Sequence, residues 1–231
     1  LTPGWLHAVN VNTEAVERSF PLPGSGGGWT VAVASDRTVY AGVYKSGHLF
    51  RHVPGEDTVA DLGQALPDQT FLYGICAGRD GAVYGGTFPG AQVFRYERDA
   101  GFSMVGAGPI HSEPGYAPSY VRTVAFDGGR NVLFAGSGPG ARLVRYDLAT
   151  GSRRDVLPAK FHRADEFPYG TKLAGSKVLT RLLTARLGVV LDVTGKGESS
   201  LDATFPMDSM CFTDPYGDKV YYTYGRVVHA Y

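Results

Sequence analysis

The chain has 231 residues, with 22 lysines and arginines against 22 aspartates and glutamates, so its formal net charge is zero. This balance argues against a protein that binds nucleic acid mainly by neutralising phosphates, because such binding needs a basic face. Hydrophobic residues make up 43% of the chain, which is enough for a core and too many for a disordered protein. No stretch approaches the roughly 18 apolar residues of a membrane helix, so we expect no membrane span.

A motif recurs along the chain about every 45 residues, and such a period decides the fold. Each copy has two apolar residues, a small residue and a glycine, followed by a segment that ends in arginine. The clearest copies are Val39-Tyr40-Ala41-Gly42, Val83-Tyr84-Gly85-Gly86 and Leu133-Phe134-Ala135-Gly136, with weaker ones beginning at Lys177 and Lys219. The second and third copies continue into Pro-Gly-Ala and then Arg-Tyr with an acid, at Arg95-Tyr96-Glu97 and Arg145-Tyr146-Asp147.

Each unit contains four short apolar or alternating segments separated by turn residues such as Asp127-Gly128-Gly129 and Ala149-Thr150-Gly151. The first segment is apolar at nearly every position, for example from Thr30 to Ala34, which predicts a strand buried on both faces. Four strands in 40 to 50 residues are typical of a β-propeller blade. We therefore predict an all-β single domain over 1–231, with blades at 24–68, 69–115, 116–164 and 165–207 and partial blades at 1–23 and 208–231.

The Val-Tyr-Xaa-Gly, Pro-Gly-Ala, Arg-Tyr-Asp and Thr-Gly pattern resembles the YVTN/NHL/SMP-30-type propeller repeats that are common in bacterial proteins. The similarity covers most of the chain and concerns the fold. Because one blade pattern hosts many functions, the resemblance implies a shape rather than an activity.

The blade count amounts to about five blades' worth of sequence. Residues 4–20 match the third and fourth strands of a blade, while the last residues match first, second and third strands. One third strand is then in excess for a closed five-bladed ring. This favours a segment of a larger, six- to eight-bladed propeller, either monomeric or part of a longer chain. The two cysteines, Cys76 and Cys211, are expected to be buried free thiols. An all-β chain with few cysteines suits a secreted or cell-surface protein, with a cytoplasmic location as the alternative.

In propellers, the residue that opens each first strand lies near one mouth of the central channel. These residues are Trp29, Tyr73, Arg122, Tyr169 and Ser209, with Asp208 beside the last. Aromatic rings around an arginine could stack on sugars or planar ligands and pair with a carboxylate. The alternative is that the rings only fill the channel.

Two histidines are candidates for chemistry. His48 stands where the sister blades carry Ala91 and Ala141, and His111 lies in a long loop. In a uronate lyase, Arg122 would neutralise the carboxylate while His48 or His111, or alternatively Tyr73 or Tyr169, abstracts the α-proton.

No phosphate-binding loop, zinc spacing, nucleophile elbow or calcium loop occurs, so we expect no cofactor and no metal. SMP-30-like enzymes hold a divalent ion with several acids in the channel, and only Asp208 and Glu166 are candidates here. The sequence predicts a recognition module for a glycan or a protein. The alternative is a polysaccharide lyase or glycoside hydrolase acting on uronate-containing glycans, and whether the protein is an enzyme stays open.

Overall fold

The computed structural model of the protein describes residues 4–78, 80–106, 110, 119–194, 199–213 and 219–231, and for 211–213 it describes the backbone alone. Within these ranges the chain forms strands, and a single turn of 3-10 helix at Ala159–Phe161. The predicted all-β class is confirmed. Among the described residues, no helix is long and apolar enough to cross a membrane.

The described strands form six antiparallel sheets, each a run of consecutive strands. Sheet 1 contains β1 (Gly4–Asn10) and β2 (Ala15–Leu22). Sheet 2 contains β3 (Gly28–Val33), β4 (Val39–Val43), β5 (His48–His52) and β6 (Ala60–Gln64). Sheet 3 contains β7 (Phe71–Ala77), β8 (Val83–Phe88), β9 (Val93–Glu97) and β10 (Gly101–Met104). Sheet 4 contains β11 (Tyr120–Asp127), β12 (Val132–Gly138), β13 (Arg142–Asp147) and β14 (Arg153–Asp155). Sheet 5 contains β15 (Pro168–Ala174), β16 (Lys177–Leu182), β17 (Leu187–Asp192) and β18 (Ser200–Pro206). Sheet 6 contains β19 (Ser209–Thr213), β20 (Val220–Tyr224) and β21 (Val227–Ala230).

Neighbouring sheets meet through their first strands, in the order β3, β7, β11, β15 and β19. Because each sheet runs outwards from that innermost strand, the sheets are arranged as the blades of a propeller. The predicted propeller of four-stranded blades is thereby confirmed. The sheets lie within the predicted repeat units, whose boundaries stay predictions.

The sheets form an open arc rather than a closed ring. Contacts run from sheet 1 to sheet 6 in chain order, and apolar residues at both ends are exposed. Val9 and Val16 in sheet 1 are 54% and 57% exposed, and Val227 and Val228 in sheet 6 are 55% and 66% exposed.

The prediction that the first strands are buried on both faces is wrong for β3. Val31 and Val33 are more than half exposed, whereas Ala32 between them is buried. Successive side chains of a strand point to opposite faces. Only one face of β3 packs on the neighbouring sheets, and the other faces the open side of the arc. In sheets 2 to 4 the second strands are the most buried, as all seven residues of β12 show.

The hydrophobic core lies between neighbouring sheets. Buried side chains of sheets 3 and 4, among them Tyr84, Val121 and Leu133, form one such layer. Glycines on the second strands allow this close packing, because a Cβ on Gly86 would lie 2.5 Å from the backbone oxygen of Val121.

Cys76 is a free thiol in β7 and is partly rather than fully buried, which corrects the prediction. Desolvation nevertheless raises the pKa of this thiol to about 12, so it is almost entirely protonated near neutral pH. The side chain of Cys211 lies outside the described residues.

Candidate functional site

The first strands of sheets 2 to 5 share an irregularity close to their starts. In β7, Leu72 pairs with Thr87 and Gly74 pairs with Gly86, so Tyr73 has no partner on β8. Two residues of one strand opposite one residue of the next is a β-bulge, a feature that turns a side chain out of the regular alternation. The residues left unpaired in this way are Trp29 in β3, Tyr73 in β7, Arg122 in β11 and Tyr169 in β15.

These are four of the residues that the sequence placed at the channel mouth, and the structure brings them together. The guanidinium carbon of Arg122 lies 4.2 Å from the ring centre of Tyr169 and 4.4 Å from that of Tyr73. It lies 4.9 Å from the ring of Trp29 and 5.9 Å from that of Tyr120. We call these five residues the Arg122 cluster. At such distances a cation over an aromatic face is stabilised by the negative charge on that face.

A band of further rings supports the Arg122 cluster from behind. Phe71 stacks on Tyr73 at 5.5 Å, and Phe167 stacks on Tyr120 at 5.3 Å. Phe88 contacts both Phe71 and Tyr120, at 5.2 and 6.1 Å. Aromatic packing of this kind fixes ring orientations, so the faces turned towards Arg122 are held in place.

Arg122 has unused hydrogen-bonding capacity. A guanidinium has five N–H donors, and the described partner of Arg122 is the hydroxyl of Tyr169, to which it donates. It forms no ion pair with any residue that the structure describes. Burial raises the pKa of the neighbouring Tyr120, although the charge of Arg122 opposes that rise. The cluster therefore places a guanidinium beside a tyrosine, Tyr120, whose phenol is held in its protonated form by burial.

Asp208, the acid predicted at the mouth, has its own partners. Its carboxylate accepts hydrogen bonds from the backbone N–H of Gly225, at 2.7 Å, and from Nε of Arg186, at 2.6 Å. These two interactions lower the pKa of Asp208. No described contact joins Asp208 to Arg122, and it lies beyond Tyr169 on the side of sheet 6.

Arg181 connects the two regions, and the sequence analysis did not single it out. Its guanidinium carbon lies 5.5 Å from the ring centre of Tyr169. In the ladder of β15 and β16, Arg181 pairs with Gly170, the residue that follows Tyr169. The signal was present in the repeat, because Val178-Leu179-Thr180-Arg181 has arginine where the three clear copies have Gly42, Gly86 and Gly136.

The surroundings of Arg181 explain why this copy tolerates a side chain that the three clear copies do not. A Cβ on Gly42, Gly86 or Gly136 would lie within 3 Å of the first strand of the next sheet. Next to sheet 5, β15 makes less extensive contact with β19 than the preceding first strands make with one another. Burial lowers the pKa of Arg181, and its Nε is buried without a described hydrogen-bond partner.

The structure places His48 away from the Arg122 cluster. Its Nδ1 lies 3.0 Å from both carboxylate oxygens of Asp61, because β5 and β6 are the two outer strands of sheet 2. Its ring contact is with Phe50, at 6.4 Å. His111, the other predicted base, lies outside the described residues. No described histidine contacts Arg122, whereas the alternative bases Tyr73 and Tyr169 lie next to it.

Glu166, the second acid considered for a metal site, is fully buried and supports the backbone. Its Oε1 accepts hydrogen bonds from the backbone N–H groups of Phe167, at 2.9 Å, and Thr184, at 2.8 Å. Its Oε2 accepts one from Ala185 at 2.8 Å. It thereby joins the segment before β15 to the turn between β16 and β17, next to Tyr169. Among the described residues, no three His, Cys, Asp or Glu side chains could share a metal ion.

We expect Glu166→Ala to lower the free energy of unfolding by about 3 kcal/mol, because it leaves three backbone donors without an acceptor. Glu166→Gln retains one oxygen and should lower it by about half as much. Urea denaturation followed by circular dichroism measures both values. The exposed neighbour Asp165 is the control, and Asp165→Ala should stay within about 0.5 kcal/mol of the wild type. Equal stability of Glu166→Ala and the wild type would contradict this role.

The fold and the site together define a β-propeller with an arginine and aromatic cluster at the start of its first strands. No protein-family model matches the chain, and no curated protein matches it. Solved structures match it at the level of the fold. The extracellular domain of the BT4673 one-component system of B. thetaiotaomicron is 17% identical with a TM-score of 0.64, over 87% of this chain and 26% of that one. Virginiamycin B lyase of Staphylococcus aureus is 14% identical with a TM-score of 0.68, over 99% and 77%. A chain of the Mitotic Checkpoint Complex is 13% identical with a TM-score of 0.74, over 96% and 68%.

The chain spans about a quarter of the length of the BT4673 extracellular domain that it matches. At these identities the likeness concerns the propeller fold alone.

Proposed function

We propose that the protein is a β-propeller recognition module that binds a glycan at the Arg122 cluster. The observation that carries the proposal is the guanidinium of Arg122, which lies 4.2 to 5.9 Å from the centres of four aromatic rings and forms no ion pair with a described residue. A preformed polar group among aromatic side chains is the usual composition of a small-ligand site.

The size of the cluster favours a glycan over a protein. Of its large apolar side chains, Trp29 and Tyr169 are exposed, at 49% and 39%. A stable protein interface buries about 800 Å² on each partner, which is far more than these two rings offer. A short oligosaccharide would fit a contact of this size. The similarity to the extracellular domain of a one-component system supports a secreted or cell-surface location as part of this proposal.

Tryptophan fluorescence tests the proposal directly, because the chain has two tryptophans and only Trp29 belongs to the cluster. Short oligosaccharides, neutral and acidic, are titrated into the protein while its emission is followed. A bound glycan should change the emission of the wild type and of Trp5→Phe, which retains Trp29. The change should be lost in Trp29→Phe.

Three results would contradict the proposal. A signal that survives in Trp29→Phe would place the ligand elsewhere. No response to any glycan, together with capture of a defined protein that Arg122→Ala fails to capture, would make the module a protein-binding one. A growing absorbance of unsaturated uronate during incubation with a uronate polymer would show that the protein is a lyase.

A further inference from the structure

We propose that the ligand of this site is an acidic glycan and that Arg181 is its second anion-binding residue. The inference deepens the proposed function and depends on it. It names the chemical class of the ligand, which is an oligosaccharide that carries carboxylates as uronates do. It also names a specificity-determining residue, Arg181, at a position where the three clear copies of the repeat have glycine.

The first observation concerns the aromatic faces. The guanidinium of Arg122 already covers the rings of Tyr73 and Tyr169, at 4.4 and 4.2 Å, so these faces are not free to stack on a sugar. What the cluster offers a ligand is the edge of the guanidinium, with its remaining N–H donors. Planar donors in a fork match the two oxygens of a carboxylate. The cluster is thus better suited to an anion than to a neutral sugar ring.

The second observation is that Tyr169 lies between two guanidinium groups. Arg122 is 4.2 Å and Arg181 is 5.5 Å from its ring centre. Neither arginine forms an ion pair with a residue in the described ranges. Both guanidinium groups contact the same ring, so a single anion close to Tyr169 would be attracted by both charges.

The third observation is that nearby carboxylates are occupied. Asp208 is held by Arg186 and the backbone of Gly225, and Glu166 is buried against three backbone N–H groups. Both are near enough for their charges to act on Arg181. Among these five described side chains, three arginines (Arg122, Arg181 and Arg186) stand against two acids, an excess of one positive charge, although the whole chain is neutral.

A pair of ligands that differ only in charge tests the inference. A galacturonate trimer and its methyl ester have the same sugar backbone, and the ester carries no carboxylate. We expect the wild type to bind the acid at least about tenfold more tightly than the ester, as measured by calorimetry, and to lose affinity for the acid as salt is added.

The variant Arg181→Gly restores the residue found in the sister blades and should therefore fold, which thermal unfolding checks. We expect it to weaken binding of the acid about 5- to 20-fold and to leave binding of the ester unchanged. Arg181→Lys keeps the charge and should recover part of the loss. Arg98→Ala removes an exposed arginine that pairs with Asp36 on another part of the surface, and should behave as the wild type.

The outcomes separate the two proposals. If the ester binds as tightly as the acid, the recognition module stands and the acidic ligand is wrong. If Arg181→Gly binds the acid as the wild type does, or loses the ester equally, the role of Arg181 is wrong. Tighter binding of a sulfated than of a carboxylated trimer would overturn the assignment to carboxylates. If no oligosaccharide binds, the proposed function itself fails.

Discussion

Arg122→Ala is expected to lower the affinity for a galacturonate trimer by at least about 30-fold, the largest effect of any single change in the site. The substitution removes the only charge of the Arg122 cluster and the fork of guanidinium donors that would pair with a carboxylate. A hydrogen bond to a charged group contributes about 1.5 to 3 kcal/mol, and a carboxylate would accept two of them. Titration calorimetry and the fluorescence of Trp29 measure the loss independently.

Two further variants show whether the shape of the guanidinium matters as well as its charge. Arg122→Lys keeps a cation among the rings but loses the fork of donors, so we expect an intermediate loss of about tenfold. Arg98→Ala is again the control, since its ion pair with Asp36 is exposed and belongs to the turns beyond β3 and β9. If Arg122→Ala and Arg122→Lys bound the trimer as tightly as the wild type, the Arg122 cluster would not be part of the binding site.

Gly86→Ala is expected to lower the free energy of unfolding by about 3 kcal/mol. A Cβ at this position would lie 2.4 Å from Cγ1 of Val121 and 2.5 Å from its backbone oxygen. The second atom belongs to the backbone of β11, so a rotamer change cannot relieve the overlap. Forcing an extra carbon into a close-packed core costs about 1 to 3 kcal/mol and sometimes more.

Gly28→Ala is the matched control for this prediction. Gly28 also lies in a strand, and a Cβ there would meet no atom within 4 Å. Urea denaturation should give this variant a stability within about 1 kcal/mol of the wild type. If Gly86→Ala were as stable as Gly28→Ala, the first strand of sheet 4 could not pack as closely on sheet 3 as the structure has it.

The architecture could be predicted from the sequence because the same pattern of strands and turns recurs in several copies of the repeat. The Val-Tyr-Xaa-Gly run forms the second strand in β4 and β8, and its glycine lies where the next sheet packs. The prediction for β3 failed for a different reason. Apolar residues such as Val31 and Val33 look buried in the sequence, yet their exposure depends on which surfaces the assembled arc covers.

The site was predictable in part. Alignment of the copies placed Trp29, Tyr73, Arg122 and Tyr169 at equivalent positions, and equivalent positions in neighbouring blades lie close together. His48 was selected by the same alignment, as a histidine in place of alanine. The strand registers correct this alignment by one residue, because Leu49, Val93 and Leu143 pair with Gly42, Gly86 and Gly136. Gly47 is therefore the equivalent of the two alanines, and His48 is the equivalent of Gln92 and Arg142.

The sequence by itself determined which residues recur at the start of each first strand, and therefore which side chains could meet. Only the tertiary structure decided how they meet. In sheets 2 to 5, a bulge in the first strand leaves one residue unpaired. The curvature of the arc brings these four residues together, and Arg122 covers the faces of the surrounding rings. The spacing of the repeat shows which residues occupy matching positions in different blades. The direction of a side chain and the space beside Arg181 depend instead on how neighbouring sheets pack.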